Sequence, residues 1–341
     1  MHLIELTRAL VDIESITGNE EAVGLYLFEY VSALAARFGG KAERMEVAPH
    51  RFNVLAFWGD QPTVTLSTHI DTVPPFVKSS EDDEFVWGRG ACDTKGIIAS
   101  MLKATEALLE SGRRNIGVLF VVGEERDSAG AYFASAHPRG SRYLINGEPT
   151  ENRLALGSKG ALRYEITATG RMAHSAYPEL GSSAIEKLLD CLMELRAMEL
   201  PADKLLGPST LNIGTVHGGR APNIIPDEAR AELLIRLVGD SSGIKTGVEK
   251  AAMGRAEAKQ VLEIPALRLG SAAGLDTTVV AYTTDIPAFG GAWGKPFLIG
   301  PGTIHVAHTA EERIPKKQLE AAVGIYQKLV TQLLDGKDAA N

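Results

Sequence analysis

Acidic and imidazole side chains follow three short apolar runs in this sequence of 341 residues. The runs and the side chains behind them are 64–67 with His69 and Asp71, 116–122 with Glu124 and Glu125, and 143–145 with Glu148. Asp93 adds a further carboxylate from a glycine-rich stretch, GRGACD. One imidazole with several carboxylates is a donor set typical of a divalent metal site, suited to Zn²⁺ and also to Mn²⁺ or Co²⁺.

So many carboxylates in one place need compensating charge. Like-charged carboxylates within a few ångströms of one another cannot all stay ionised unless cations or protons neutralise them. Two metal ions about 3.5–4 Å apart would need one bridging carboxylate and further ligands on each ion. Taken singly, Asp93 also fits a helix N-cap, and Glu124 with Glu125 fits a solvated loop. Their recurrence at the same end of successive runs favours the metal site.

The three apolar runs predict strands of a parallel sheet. They are too short for helices and mostly do not alternate, which indicates strands covered on both faces. A helix is predicted over 94–110, between the first two strands, with other helices within 1–38 and over 318–334. In open α/β sheets, ligands bind beyond the carboxyl ends of the strands, so we expect one crevice to collect the side chains behind the runs.

The pattern changes near residue 160. Apolar and polar residues alternate strictly over 162–169, which predicts a strand with one solvated face. The elements predicted next are a helix over 183–198, strands over 210–216 and 229–238, and a helix over 244–259. This order predicts a small α+β domain of antiparallel sheet and two helices. We therefore expect an α/β fold whose mostly parallel-sheet domain is discontinuous, 1–157 and 268–341, with the α+β domain inserted at 158–267.

The composition and net charge of the chain exclude several classes of protein. The 35 basic and 43 acidic residues give a net charge of −8, which argues against a nucleic-acid partner. The two cysteines, Cys92 and Cys191, suit a reducing cytoplasm and exclude a cysteine-rich zinc module. The sequence shows neither a signal peptide nor an apolar stretch long enough to span a membrane. We therefore expect a cytoplasmic protein with no membrane partner.

Five motifs occur in one order along nearly the whole chain. They are HIDTVP at 69–74, GRGACDTKG at 88–96, EE at 124–125 with AGA at 129–131, GEPT at 147–150, and GPG at 300–302 ahead of His308. Together they resemble the motifs of the co-catalytic zinc amidohydrolase and metallopeptidase family. That family includes acetylornithine deacetylase, succinyl-diaminopimelate desuccinylase, aminoacylase and related carboxypeptidases and dipeptidases.

The resemblance implies two Zn²⁺ ions per subunit, a site that Co²⁺ or Mn²⁺ can share, and a role for each residue. The implied metal ligands are His69, Asp93, Glu125, Glu148 and His308, with Asp93 on both ions and Glu125 and Glu148 on different ions. Glu124 is implied to be the general base that takes a proton from the water between the metals. Asp71 is implied to orient His69. His305 competes with His308 for the last position, and the spacing after the GPG motif favours His308.

The resemblance also implies that the inserted domain is a lid and dimerisation module. His174 resembles the residue that reaches the partner subunit's active site and polarises the substrate carbonyl oxygen. Asn223 and Arg236 resemble contacts to the substrate carboxylate, which Arg236 could clamp with two hydrogen bonds. Residues 284–285 resemble in part the family's Gly-Thr-Asp segment near the substrate. A homodimer is expected on the same grounds.

The implied activity is hydrolysis of an amide bond next to a free carboxylate. The expected substrate is a small N-acyl amino acid, as for acetylornithine deacetylase and the desuccinylase. The alternative within the family is a di- or carboxypeptidase, because a dipeptide presents almost the same amide and carboxylate. The sequence leaves open the acyl group, the amino-acid side chain, the physiological metal and the oligomeric state.

Two other classes of function compete with this interpretation. GDSSG at 239–243 matches the nucleophile elbow of serine hydrolases around Ser241, with an HGG fragment upstream. However, only about 20 residues separate the two, and the strand before the elbow alternates, unlike the buried strand such an elbow needs. The other competitor is a non-catalytic binding protein for amino acids or peptides. The presence of Glu124 and of every expected ligand favours catalysis.

Overall fold

The computed structural model describes residues 1–336, and the chain divides into two compact units. Unit 1 contains Met1–Leu156, Leu269–Thr278 and residues 284–336. Unit 2 contains Gly157–Arg268 and Val279–Thr283. Every side chain that the sequence predicts as a metal ligand belongs to unit 1.

The described chain contains both α-helices and β-strands throughout. The helices are α1 Leu3–Val11, α2 Glu21–Phe38, α3 Gly96–Glu110, α4 Ala129–Ala136, α5 Ala184–Ala197, α6 Ser242–Ala252, α7 Ile286–Phe289 and α8 Lys316–Leu334. The strands are β1 Lys41–Ala48, β2 Arg51–Trp58, β3 Val64–His69, β4 Ser80–Glu81, β5 Phe85–Trp87, β6 Ile116–Val121, β7 Tyr143–Asn146, β8 Leu154–Ser158, β9 Gly160–Thr169, β10 Ala173–His174, β11 Ala202–Asp203, β12 Gly207–Pro208, β13 Thr210–Gly218, β14 Ile224–Ile225, β15 Glu228–Leu237, β16 Glu257–Ile264, β17 Leu267–Arg268, β18 Thr277–Val280, β19 Lys295–Leu298 and β20 Arg313–Pro315.

The sheet of unit 1 is parallel at its centre. Its strands lie in the order β1-β2-β6-β3-β7-β19-β8. The neighbours from β6 to β19 are parallel, whereas β2 is antiparallel to both β1 and β6, and β8 is antiparallel to β19. Every residue of β3, β6 and β7 is buried. The predicted mostly parallel sheet with both faces covered is therefore confirmed.

Alternate side chains of the central strands pack into different layers. Val118 and Phe120 of β6 join the core formed with α3 and α8, whereas Leu119 and Val121 join the core formed with α4 and α7. Successive side chains of a strand point to opposite faces, so an unbroken apolar run needs a cover on both sides. This three-layer packing holds the carboxyl ends of the strands rigidly at one edge of the sheet.

Unit 2 is built on an antiparallel sheet of four strands in the order β13-β15-β9-β16. Helices α5 and α6 share a buried apolar cluster with this sheet. The predicted helix over 244–259 is wrong in its second half, because α6 ends at Ala252 and 257–264 form strand β16. Gly254 has φ of +72°, which a right-handed helix cannot contain. Most of β16 is exposed, so no alternation of apolar residues marks it as a strand.

Two further features bear on the sequence-based expectations. Cys92 and Cys191 are both buried and free. Among residues 1–336, no helix combines the length and apolar character that crossing a membrane requires.

Candidate metal centre

The order of the parallel strands brings the predicted side chains to one edge. Strand β3 lies between β6 and β7, so the connections after β3 and after β6 leave in opposite directions, which opens a crevice at the carboxyl ends. His69 is the last residue of β3, and Glu124 and Glu148 follow the ends of β6 and β7 within a few residues. Gly123 makes the turn after β6 possible, because its φ of +84° is a backbone conformation that residues with a Cβ rarely adopt.

Two clusters of candidate ligands meet at this edge and share Asp93. One consists of His69, Asp93 and Glu148, and the other of Asp93, Glu125 and His308, with ligand atoms within 4.8 Å of one another in each. His69 Nε2 lies 3.0 Å from Asp93 Oδ1, and His308 Nε2 lies 3.2 Å from Asp93 Oδ2. The two oxygens of one carboxylate thus face different imidazoles, which is the arrangement a bridging ligand requires.

The turn after β6 is held by a single buried carboxylate. Asp71 accepts backbone N–H bonds from Gly123, Glu124 and Glu125 over 3.0–3.2 Å, and the hydroxyl of Thr17 donates to it over 2.7 Å. Asp71 also faces His69, whose Nδ1 lies 3.0 Å from the Asp71 carbonyl oxygen and 3.5 Å from its carboxylate. Asp71 therefore positions the Glu124–Glu125 turn in addition to the imidazole.

The electrostatics of the site reflect a surplus of buried negative charge. Burial raises the pKa of Glu124 well above its ordinary value, the carboxylates of Asp285 and Asp93 add to the shift, and a charged His69 opposes it. Burial likewise raises the pKa of Glu148. The hydrogen bonds of His308 to Asp93 and Glu125 raise its pKa to about 10. Positive charge placed at this edge is therefore strongly favoured.

The donors fit a pair of divalent cations. Glu148 is buried, and within residues 1–336 its Oε1 has no hydrogen-bond partner. A buried carboxylate oxygen without a partner is costly unless a cation or proton satisfies it. Two imidazoles and three carboxylates, one of them shared, match the requirement of one bridging carboxylate and two more ligands per ion.

The two candidate histidines near the C-terminus lie in different surroundings. His308 has φ of +62° and places Nε2 3.0 Å from Glu125 Oε2. His305 is exposed, and neither ligand cluster found in the described part of the chain contains it. The geometry therefore brings His308 and not His305 to the other candidate ligands.

The predicted residues of unit 2 are divided between the two-stranded sheet β10-β14 and the four-stranded sheet. His174 pairs with Ile224 across β10 and β14, and the Ser175 N–H donates to the Asn223 carbonyl over 3.0 Å, so His174 and Asn223 are neighbours. Arg236 lies near the far end of β15, eight residues beyond its first residue, or roughly 26 Å at about 3.3 Å per residue. One copy of unit 2 cannot place all three around one small molecule.

Arg236 is a half-buried guanidinium. Burial lowers its pKa, and no ion pair involving Arg236 is found across residues 1–336. A half-buried guanidinium without an ion-pair partner among residues 1–336 is suited to binding a carboxylate of another molecule.

Ser241 does not have the surroundings of a serine nucleophile. Its backbone is relaxed, with φ of −93°, whereas the nucleophile elbow is a strained turn. Its Oγ donates to Glu263 over 2.5 Å, and the same carboxylate pairs with Lys245. Within residues 1–336 the Ser241 hydroxyl therefore bonds directly to a carboxylate, whereas a serine nucleophile needs a histidine as its partner.

The structure adds residues whose importance the sequence analysis did not predict. Glu312 and Arg89 form a buried ion pair beside Asp93. Asp285, which belongs to the segment that matches the family motif only in part, is 1% exposed, and its charge helps to raise the pKa of Glu124. Glu312 follows His308 by four positions and Arg89 belongs to the GRG motif, so both lie in segments that the motifs mark. That the two side chains pair could be seen only in the folded chain.

Replacing Asp285 with asparagine is expected to stabilise the metal-free protein at pH 8. Burial raises the pKa of Asp285 to about 7, and the charges of Asp71 and Asp127 contribute. The folded state therefore holds this proton more tightly than the unfolded state does, so stability falls as pH rises from about 4 to 7. The variant escapes this loss and should gain about 2–4 kcal/mol at pH 8, with the gain vanishing near pH 4.

Urea unfolding of the chelated protein across that pH range would measure the difference. The exposed Asp276 provides a matched Asp→Asn control that should leave stability unchanged. Equal stability of wild type and Asp285→Asn at pH 8, or a gain that persists unchanged at pH 4, would contradict the prediction.

Relatives of known sequence resemble this chain along most of its length. A peptidase M20 domain-containing protein of Schizosaccharomyces pombe is 38% identical over 338 residues, covering 96% of this chain and 84% of the relative. A probable carboxypeptidase of Neosartorya fischeri is 36% identical over 385 residues, covering 98% of this chain and 87% of the relative.

Solved structures share the fold at low sequence identity. A tripeptidase of Staphylococcus aureus superposes with a TM-score of 0.81 at 24% identity, covering 97% of this chain and 98% of the other. A dinuclear metal-binding peptidase of family M20 from Bacillus subtilis superposes with a TM-score of 0.71 at 16% identity, covering 98% of each chain.

The chain also matches the model of a protein family. This model describes peptidase family M20/M25/M40 and matches residues 65–332, which include every candidate ligand of both clusters. The family resemblance predicted from the five motifs is thereby confirmed, and with it the hydrolase class and metal dependence. From the relatives and the family model together, this chain belongs to peptidase family M20/M25/M40.

Proposed function

We propose that this chain is a metal-dependent peptidase that hydrolyses the amide bond next to the free C-terminal carboxylate of a dipeptide or short peptide. The observation that carries the proposal is the pair of ligand clusters sharing Asp93, with Glu124 directly before the ligand Glu125. The name of the Neosartorya fischeri relative, a probable carboxypeptidase, favours a peptidase over the deacetylase expected from the motifs.

The proposed cofactor is a pair of Zn²⁺ ions, for which Co²⁺ or Mn²⁺ can substitute. His69 and Glu148 would hold one ion, Glu125 and His308 the other, and Asp93 both, as the two clusters suggest. Bound ions of this kind lower the pKa of water and polarise a carbonyl group. The Bacillus subtilis structure, described as a dinuclear metal-binding peptidase, supports the number of ions.

Glu124 is the proposed general base. Its carboxylate takes a proton from the attacking water and later delivers one to the nitrogen of the leaving amine, which breaks the amide bond. A carboxylate is a weak base at its ordinary pKa, and burial of Glu124 in the metal-free site raises that pKa. The three N–H bonds from the turn to Asp71 keep Glu124 in place during both transfers.

The residues of unit 2 are proposed to bind the substrate in a homodimer. Arg236 of one chain and Asn223 of the partner subunit would contact its carboxylate, and His174 of the partner subunit would stabilise the oxyanion that forms from the carbonyl oxygen. The separation of Arg236 from His174 and Asn223 along β15 supports the use of two copies. A cytoplasmic location is proposed from the two free cysteines.

Mixing two inactive variants is expected to restore activity if His174 acts across a dimer. Glu124→Gln and His174→Ala chains, co-refolded in equal amounts, form mixed dimers in which one of the two sites has both residues. The mixture should recover about a quarter of wild-type activity. If His174 served its own chain, the mixture would stay as inactive as the two parents. Analytical ultracentrifugation of each sample checks that dimers form.

The test of the proposed function combines metal analysis with a substrate panel on one batch of protein. Elemental mass spectrometry of protein purified without chelator should find about two metal ions per chain. Dipeptides, short peptides and N-acetyl-ornithine would be assayed together, and chelation should abolish hydrolysis until Zn²⁺ or Co²⁺ is returned. Faster cleavage of N-acetyl-ornithine than of any peptide would instead support the deacetylase. Bound metal without hydrolysis of any amide would support a binding protein.

Replacing Ser241 with alanine is expected to leave hydrolysis unchanged while slightly lowering stability. The hydroxyl donates to Glu263 and has no part in the proposed chemistry. Its loss should lower the free energy of unfolding by about 1 kcal/mol. Steady-state kinetics and urea unfolding on the same preparation separate the two effects. Loss of activity in the folded variant would return attention to a serine mechanism.

A further inference from the structure

A buried carboxylate outside the ligand set holds the loop that carries Asp93. Glu312 is 3% exposed, and its Oε1 accepts backbone N–H bonds from Gly90 over 2.9 Å, Asp93 over 3.1 Å and Cys92 over 3.2 Å. Its Oε2 accepts a hydrogen bond from Arg89 Nη1 over 2.5 Å. One side chain thus satisfies three backbone donors of this loop, those of Gly90, Cys92 and Asp93, and is itself neutralised by a buried guanidinium.

The loop needs such an acceptor because it is not a regular helix. Gly90 has φ of +84°, and Asp93, with φ of −122° and ψ of 86°, lies outside the helical region. The N–H groups of Gly90, Cys92 and Asp93 converge on the Glu312 carboxylate in the manner of an anion-binding nest, whereas the Ala91 N–H donates to the Gly88 carbonyl over 3.0 Å. The Glu312 carboxylate therefore fixes the backbone from Gly90 to Asp93.

The same short segment reaches Asp93 from two directions. His308 Nε2 lies 3.2 Å from the Asp93 carboxylate, and four residues later Glu312 accepts the Asp93 backbone N–H. Strand β20, which follows Glu312, pairs with β5 in the stretch that leads to the loop, Arg313 opposite Trp87. Arg89 is anchored in turn, since its Nε donates to the Pro75 carbonyl over 3.3 Å.

We propose that Glu312, held by Arg89, is a positioning residue that fixes the 90–93 loop so that the Asp93 carboxylate can serve both ligand clusters. The inference rests on the proposed function, in which Asp93 bridges two metal ions. Glu312 is a member of neither cluster; it acts through the backbone N–H of the bridging residue, Asp93. Its carboxylate oxygens are already used by the loop and by Arg89, so it is not a further ligand.

The test compares Glu312→Gln with Glu311→Gln. Glutamine keeps the size of the side chain but loses the charge that strengthens the N–H bonds. The neighbouring Glu311 side chain is 82% exposed, so its variant is a matched control that should behave as wild type. Zn²⁺ affinity, measured by competition with a chromogenic chelator, should fall by about 10–100-fold in Glu312→Gln only. kcat should fall while KM for the substrate stays unchanged.

Hydrogen exchange of the metal-free proteins gives a readout independent of activity. The amides of 90–93 should exchange faster in Glu312→Gln than in wild type or the control. Wild-type Zn²⁺ affinity in a folded Glu312→Gln would overturn the inference, even with faster exchange, because the contact would then be only structural. Failure of wild type itself to bind a metal pair would instead overturn the proposed function. If Glu312→Gln does not fold, Arg89→Lys, which keeps the charge but loses the planar fork, should show the same loss in smaller degree.

Discussion

Replacing Glu124 with glutamine is expected to lower kcat by about 10²–10⁴-fold with both metal ions still bound. Glutamine has nearly the shape of glutamate but cannot take a proton from the attacking water. The candidate ligands of both clusters are other residues, so metal content should stay at the wild-type level. The turn is held through backbone N–H groups that the substitution leaves in place, so Glu125 should keep its position.

Three measurements on one preparation decide this prediction. Steady-state kinetics give kcat and KM, elemental analysis gives the metal content, and thermal unfolding checks the fold. KM should change little, because the amide of glutamine still fits the site. An active Glu124→Gln enzyme with full metal content would remove Glu124 as the base. Loss of metal together with activity would show that Glu124 acts as a ligand instead.

Replacing Asp93 with alanine is expected to remove both activity and tight binding of the metal pair. Asp93 is the one residue that the two clusters share, so its loss deprives each proposed ion of a ligand. It also removes the negative charge between His69 and His308. Hydrolysis should fall by at least about 10³-fold, since several kcal/mol of transition-state stabilisation depend on the ions.

Glu148→Ala is the matched variant that tests whether Asp93 is shared, because it removes a ligand from one cluster only. Elemental analysis after dialysis should find fewer metal ions in Asp93→Ala than in Glu148→Ala. Isothermal titration with Zn²⁺ should show two weakened sites in the first variant and one in the second. Equal retention of two ions by both variants would exclude Asp93 as the bridge.

The central strands of the sheet could be predicted from the sequence because burial constrains their composition. A parallel strand covered on both faces has to be apolar at every position, and β3, β6 and β7 are short runs of this kind. The side chains directly behind such runs must then lie at one edge of the sheet. The exposed strand β16 has no such constraint, so its residues were mistaken for the end of a helix.

The family and the types of the candidate ligands could be predicted from the motifs, because the motifs contain the donor side chains themselves. How these side chains are shared and held depends on contacts that exist only in the folded chain. The tertiary structure divides the ligands into two clusters around Asp93, sets the Asp71 carboxylate under the turn after β6, and sets Glu312 under the loop at 90–93. Asp71 bonds to backbone groups that lie 52–54 positions away along the sequence. Glu312 bonds to backbone groups that lie 219–222 positions away. The donors in these bonds are backbone N–H groups, which every residue except proline carries, so no pattern of side chains could reveal them before the chain had folded.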